Sequence, residues 1–310
     1  MPTLYYQISS QDDDFAVSVW NDDIEESFTL KSEQNIAQEF ESIYQALETK
    51  EESRWSEARR QVGALAKALV EPVERHIRSA SQIVFIVDQK SVRFALDLLP
   101  IDGQSIYEKL PVVYLLEEAE VEENPDLELD YAFCMADLDC DPEKGLKQIT
   151  GLFASSDYVE MPDTTLAEVL DGGSDTTVLV ISAHGEVADN SGSLSINDEE
   201  FDSDSIGSLD CDLIYLDSCQ MGVAFDVIEA CSEEEASSYY VAPITSNDAG
   251  DSSTLTVTWF FQSLKETGSP ARALYLTRKR LTEHYQKKGL AEVVILNKAF
   301  PFRLYEFPGD

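Results

Sequence analysis

The chain has 310 residues, 43% of them hydrophobic and 10% aromatic, enough to bury a sizeable core and to exclude global disorder. Its formal charge is −38, from 60 acidic and 22 basic residues, and such a surface repels nucleic acid backbones and anionic membranes, arguing against direct binding to either. No apolar run reaches the ~18 residues of a membrane span, no secretory signal opens the chain, and the five cysteines read as reduced thiols, so a cytoplasmic protein is expected.

Residues 3–30 read as a β-hairpin, Leu4–Ile8 and Phe15–Trp20 around an acidic turn at Gln11–Asp14, with Ser27–Leu30 as a third strand. Helical spacing follows over Asn35–Leu47 and Trp55–Ser79, with a break expected at Pro72. Strands are expected at Ile83–Val87, Val112–Leu116 and Tyr131–Met135, with an acidic connection at Glu117–Asp130. Glu143–Phe153 and Thr164–Leu170 read as helices around a short strand at Asp157–Glu160. Two apolar runs, Val178–Ile181 and Leu213–Leu216, read as buried parallel strands. A small hairpin is expected at Ser193–Asp198, between them. Beyond lie a helix at Val223–Cys231, a strand at Tyr239–Pro243, helices at Thr256–Lys265 and Pro270–Lys287, and a last strand at Glu292–Leu296. The alternation predicts an α/β fold with a mainly parallel sheet and helices on both faces, preceded by the N-terminal hairpin and helices. The expected organisation is an N-terminal segment over 1–80 packed on a main domain over 81–310.

Each of the two buried runs ends in chemistry. The first stops at Ser182-Ala183-His184-Gly185 and the second at Asp217-Ser218-Cys219-Gln220-Met221-Gly222. Open α/β sheets carry their chemistry beyond the carboxyl ends of strands, so His184 and Cys219 can meet although 35 positions apart. A free thiol is mostly protonated at neutral pH, and an imidazole beside it supplies the base that makes it a nucleophile. Strand alternation turns Asp217 to the same side of the backbone as Cys219. The other cysteines, Cys134, Cys140, Cys211 and Cys231, read as structural. No His/Cys/Asp group has zinc-ligand spacing and no glycine loop cradles phosphate, so neither metal nor other cofactor is expected.

These two strand-closing motifs resemble those of the caspase-like cysteine peptidases. The chain over roughly 80–310 resembles their CHAT branch, bacterial caspase-like domains often found beside helical repeats. Further segments carry the resemblance: Ile83–Asp88 with Leu98-Leu99-Pro100, Tyr131–Ala136, Tyr240–Asp251 with the following Thr256–Leu264, and Gly268–Leu274. The chain departs from the branch in lacking helical repeats and in carrying Asp217 where a small residue is common.

The resemblance implies a Cys219–His184 dyad, with an oxyanion hole made by the backbone N–H groups of Gly185 and Cys219. In metacaspase- and paracaspase-like relatives an Asp at the place of Asp217 selects Lys or Arg before the scissile bond. Asp248 and Asp251 are candidates for the rest of that pocket, or alternatively caps of the next helix. The implied function is an endopeptidase acting on a protein partner as effector of a bacterial defence or stress system, its signal sensed by a separate regulatory protein. The alternatives are a catalytically silent adaptor that binds a basic partner through its acidic surface, and a thiol acyl transferase acting on small molecules. The acidic surface reads first as a solvated or salt-adapted one, and second as attraction for a basic partner.

Overall fold

Runs of β-branched and aromatic residues form one eleven-stranded sheet in the computed structural model, which describes residues 2–11, 14–31, 35–116, 125–174 and 176–307. Three antiparallel strands come first: β1 (Thr3–Gln11), β2 (Asp14–Asn21) and β3 (Ile24–Leu30). Helices α1 (Ile36–Thr49), α2 (Glu52–Leu69) and α3 (Glu74–Ser79) follow, and Pro72 separates the last two as expected, within a 3-10 turn at Glu71–Val73. Strand β4 (Gln82–Val87) precedes the ribbon of β5 (Pro100–Ile101) and β6 (Gln104–Ser105), the single turn α4 (Ile106–Lys109) and β7 (Val112–Leu116). Residues 117–124 of the expected acidic connection lie outside the described residues. Next come β8 (Tyr131–Ala136), α5 (Gly145–Ile149), β9 (Ser155–Glu160), α6 (Leu166–Gly173) and β10 (Thr176–Ser182).

A small antiparallel sheet then interrupts the alternation, formed by β11 (Gly185–Ala188), β12 (Ser191–Ile196) and β13 (Glu199–Phe201). The hairpin expected at Ser193–Asp198 is its second half. Asn197 and Asp198, at φ 50° and 65°, supply the left-handed pair that a two-residue hairpin turn requires. Then follow α7 (Ser203–Gly207), β14 (Cys211–Asp217), α8 (Phe225–Glu233), β15 (Ser237–Pro243), α9 (Asp251–Thr267) and α10 (Pro270–Lys287). The segment expected as a last strand, Glu292–Leu296, is instead helix α11 (Glu292–Ala299), and the last strand is β16 (Phe302–Glu306). The Val293–Leu296 run favours a strand locally, but its apolar side chains pack on the helices beside it.

The order across the sheet is β3-β2-β1-β4-β7-β16-β15-β14-β10-β8-β9. The expected mainly parallel sheet is therefore present. β1, β4 and β7 are mutually parallel, as are β15, β14, β10, β8 and β9. β16 lies between β7 and β15 and pairs antiparallel with β15. Because β1 pairs with β4 from Thr3 to Ile8, the sheet is continuous across the boundary expected near residue 80.

Alternate residues of the central strands feed opposite layers. Val178, Val180, Leu213 and Tyr215 pack under α5, α9 and α10, whereas Leu179, Ile181, Ile214 and Leu216 join the layer of α1, α2, α8 and α11. Each fully buried aliphatic side chain contributes roughly 1.5–3 kcal/mol, so both faces hold the strand ends firmly. Among the described residues, the buried charges have partners. Arg278 meets Asp97 at 2.8 Å, Tyr114 donates to the same carboxylate at 2.8 Å, and Arg303 of β16 stacks 3.9 Å over the Tyr114 ring and donates to Phe94 O at 2.9 Å. Among the described residues no helix is long and apolar enough to cross a membrane.

Candidate active site

The carboxyl ends of β8, β10 and β14 lie side by side, with Ser182 in register with both Ala136 and Asp217. The residues just past these ends are Asp137, His184 and Cys219, so a single edge of the sheet presents all three. His184 is exposed and Cys219 half-buried.

Gly185 joins the two strand ends. A Cβ at this position would stand 2.9 Å from Cys219 O and 3.2 Å from Cys219 N, closer than a side chain tolerates, so the glycine lets one backbone lie against the other. Gly222 also serves close approach, because its Cβ would fall 2.5 Å from Ala242 O on β15. The turn after the thiol is instead made by Gln220, which takes the left-handed conformation at φ 62° and donates its N–H to Thr245 O at 3.2 Å.

Asp217 is buried, and its carboxylate accepts from Ser182 Oγ at 3.2 Å and from Asn247 Nδ2 and Ser253 Oγ. Burial pushes this carboxyl up to about 6, against the three donated hydrogen bonds, while Asp141 adds to the rise. Asn247 touches both residues of the motif, since its backbone oxygen also lies 3.9 Å from Cys219 Sγ. The other two residues expected around this pocket pair with lysines. Asp248 pairs with Lys50 at 2.5 Å and Lys298 at 3.7 Å, and these lysines hold its carboxyl below the ordinary range although burial opposes them. Asp251 is the first residue of α9 and faces Lys288 at 3.1 Å and Lys298 at 3.9 Å. The cap of α9 is Gly250, so Asp251 is not the cap.

Helix α1 reaches this edge of the sheet, which sequence reasoning did not foresee. Glu48 accepts from Ser246 N–H at 2.6 Å and from Gln220 Nε2 at 3.2 Å, tying together the two loops that flank the thiol. Beside His184 a cavity of about 330 Å³ opens toward the small sheet, and Gly185, Glu186, Asp198, Glu199 and Glu200 line it together with His184.

No metal-ligand spacing is visible along the chain, yet folding gathers such a group. Asp137, Cys140 and His184 each offer a ligand atom, and these atoms lie within 4.8 Å of one another. Cys140, expected to be structural, thus stands at the site. Its thiol is pushed up to about 12 by burial first, then by Asp137, Asp217, Cys219 and Asp139. The rule that pointed to His184 and Cys219 applied equally to Asp137 at the end of β8. All five cysteines are free.

No protein-family model and no curated protein sequence matches the chain. Solved structures do match in shape. The complex of Porphyromonas gingivalis RgpB pro- and mature domains aligns with a TM-score of 0.55 at 12% identity, over 80% of this chain and 69% of that one. The Arg-specific cysteine proteinase gingipain R aligns with a TM-score of 0.55 at 11% identity, over 80% and 67%. The Saccharomyces cerevisiae separase–securin complex aligns with a TM-score of 0.58 at 8% identity, over 99% of this chain but only 30% of that one. At identities this low the likeness is one of fold, which the chain shares with gingipain R and separase.

Proposed function

We propose that the protein is a CHAT-type cysteine endopeptidase in which His184 and Cys219 act as a dyad. The observation that carries this reading is the backbone approach of Gly185 to Cys219, which draws the ends of β10 and β14 together. Cys219 Sγ attacks the scissile carbonyl carbon as His184 takes the thiol proton, and the N–H groups of Gly185 and Cys219 receive the oxyanion. The C–N bond then breaks, the imidazole returns the proton to the leaving amine, and water hydrolyses the thioester to release the acid and restore the thiol.

Asp217 is the selecting anion for Arg or Lys before the scissile bond. The acidic lining of the cavity beside His184 supports a basic substrate segment, as does the Arg specificity of gingipain R, the fold neighbour. An effector role in a bacterial defence or stress system, under a separate sensing protein, rests on the CHAT resemblance, whereas cytoplasmic placement rests on reading the five cysteines as reduced thiols.

The test is a peptide-library digest by the purified protein beside its Cys219→Ala and His184→Ala variants. Cleavage after Arg or Lys is expected, lost by at least about a thousandfold in each variant with the melting temperature kept. Undiminished cleavage by either variant rejects the dyad. If a basic peptide binds the intact protein but is never cut, the adaptor reading takes its place.

A further inference from the structure

We infer that Asp137, Cys140 and His184 form a binding site for a divalent zinc-like cation, one that holds the His184 imidazole away from catalysis. The ligand set is one oxygen, one sulfur and one nitrogen, the mixture that suits zinc, and three protein ligands leave a fourth position open to water. With metal–ligand bonds of about 2.0–2.3 Å, the donors of a tetrahedral zinc stand about 3.5 Å apart. The three donors already lie within 4.8 Å of one another, so side-chain rotation about χ1 and χ2 closes the remainder.

The backbone beneath two of the ligands is fixed. Asp137 and Cys140 bracket a turn in which Cys140 N–H donates to Asp137 O at 3.0 Å and Asp141 N–H to the same oxygen at 2.8 Å. Asp137 N–H in turn donates to Ser182 O at 2.8 Å, which fastens the turn to the strand end that leads into His184. One carboxylate oxygen of Asp137 accepts from Asp139 N–H at 2.9 Å, orienting the group while leaving its other oxygen free of that bond. The third ligand, His184, is exposed. Asp137, Asp139 and Asp217 surround the Cys140 sulfur with negative charge that a divalent cation neutralises. On binding, the Cys140 thiol gives its proton to solvent and the imidazole commits a ring lone pair to the metal.

Metal capture stands on this geometry alone. Its consequence, a peptidase switched off because its base is occupied, rests on the dyad proposed above. The experiment is a titration of the chelator-treated full chain with Co²⁺, followed by displacement with Zn²⁺. Tetrahedral visible bands and a near-ultraviolet thiolate-to-cobalt band are expected in the unaltered protein. Cys140→Ser should remove the charge-transfer band, and Asp137→Asn should weaken Zn²⁺ binding by about tenfold or more. Cys219→Ser should keep both signals. Absence of the thiolate band in the unaltered protein overturns the site, as does a band that survives Cys140→Ser or vanishes in Cys219→Ser. The second arm follows peptide cleavage, where Zn²⁺ should inhibit the unaltered protein and not Cys140→Ser. Equal inhibition of the two rejects the switch. A protein that binds cobalt through Cys140 but cleaves nothing refutes the dyad and leaves the metal site intact.

Discussion

Asp217 keeps a carboxyl that burial lifts from the ordinary 3.8 to about 6 despite three donated hydrogen bonds. Because the folded value lies above the unfolded one, this group favours the fold fully below pH 3.8, and that contribution is lost as the pH rises through about 6. A shift of this size corresponds to about 3 kcal/mol. Asp217→Asn should therefore flatten the fall in denaturant stability between these two pH values, and a variant that falls as steeply as the parent sinks the assignment. The proposed specificity titrates with the same group. The ratio of kcat/KM for an Arg substrate over its Gln counterpart should climb through pH ~6 in the unaltered protein and stay flat in Asp217→Asn. At Gly185 the argument is steric, since Gly185→Ala sets a Cβ against Cys219 O. The expected loss in kcat is about a hundredfold, measured beside the melting temperature, and an unchanged rate removes Gly185 N–H from the oxyanion hole.

Among the elements, α1 is the one whose contribution to the site has no counterpart in the sequence pattern. Its apolar stripe marks it as a core helix, and only the fold reveals that Glu48 bridges the loops on either side of the thiol. Glu48→Ala should cost about 1–3 kcal/mol in urea unfolding and lower turnover, because Gln220 loses its tether beside Cys219. A variant with parental stability and rate would show that the loops hold themselves. β10 and β14 were legible because strands buried on both faces leave unbroken apolar runs, and the carboxyl-end rule then singled out His184 and Cys219. β16 was not legible. Arg303 is its second residue and breaks the apolar run, and the carbonyls of Val92 and Phe94 that satisfy it lie about two hundred residues away. Cys140 was missed for a similar reason, since its neighbour His184 comes from another strand end and the two share no local spacing.

At the scale of the molecule, a charge of −38 makes self-repulsion a standing cost of compaction. Raising ionic strength from about 0.01 M to about 0.15 M shortens the screening distance from about 30 Å to about 8 Å. The melting temperature should rise over that interval, whereas a decrease would mean that the surface ion pairs outweigh the excess of like charge. β16 adds a different constraint. Phe302–Glu306 lies between β7 and β15 and joins the two halves of the sheet. A ribosome delivers every other strand of the sheet first, so the growing polypeptide carries two unjoined half-sheets with exposed edges until residue 306 has emerged.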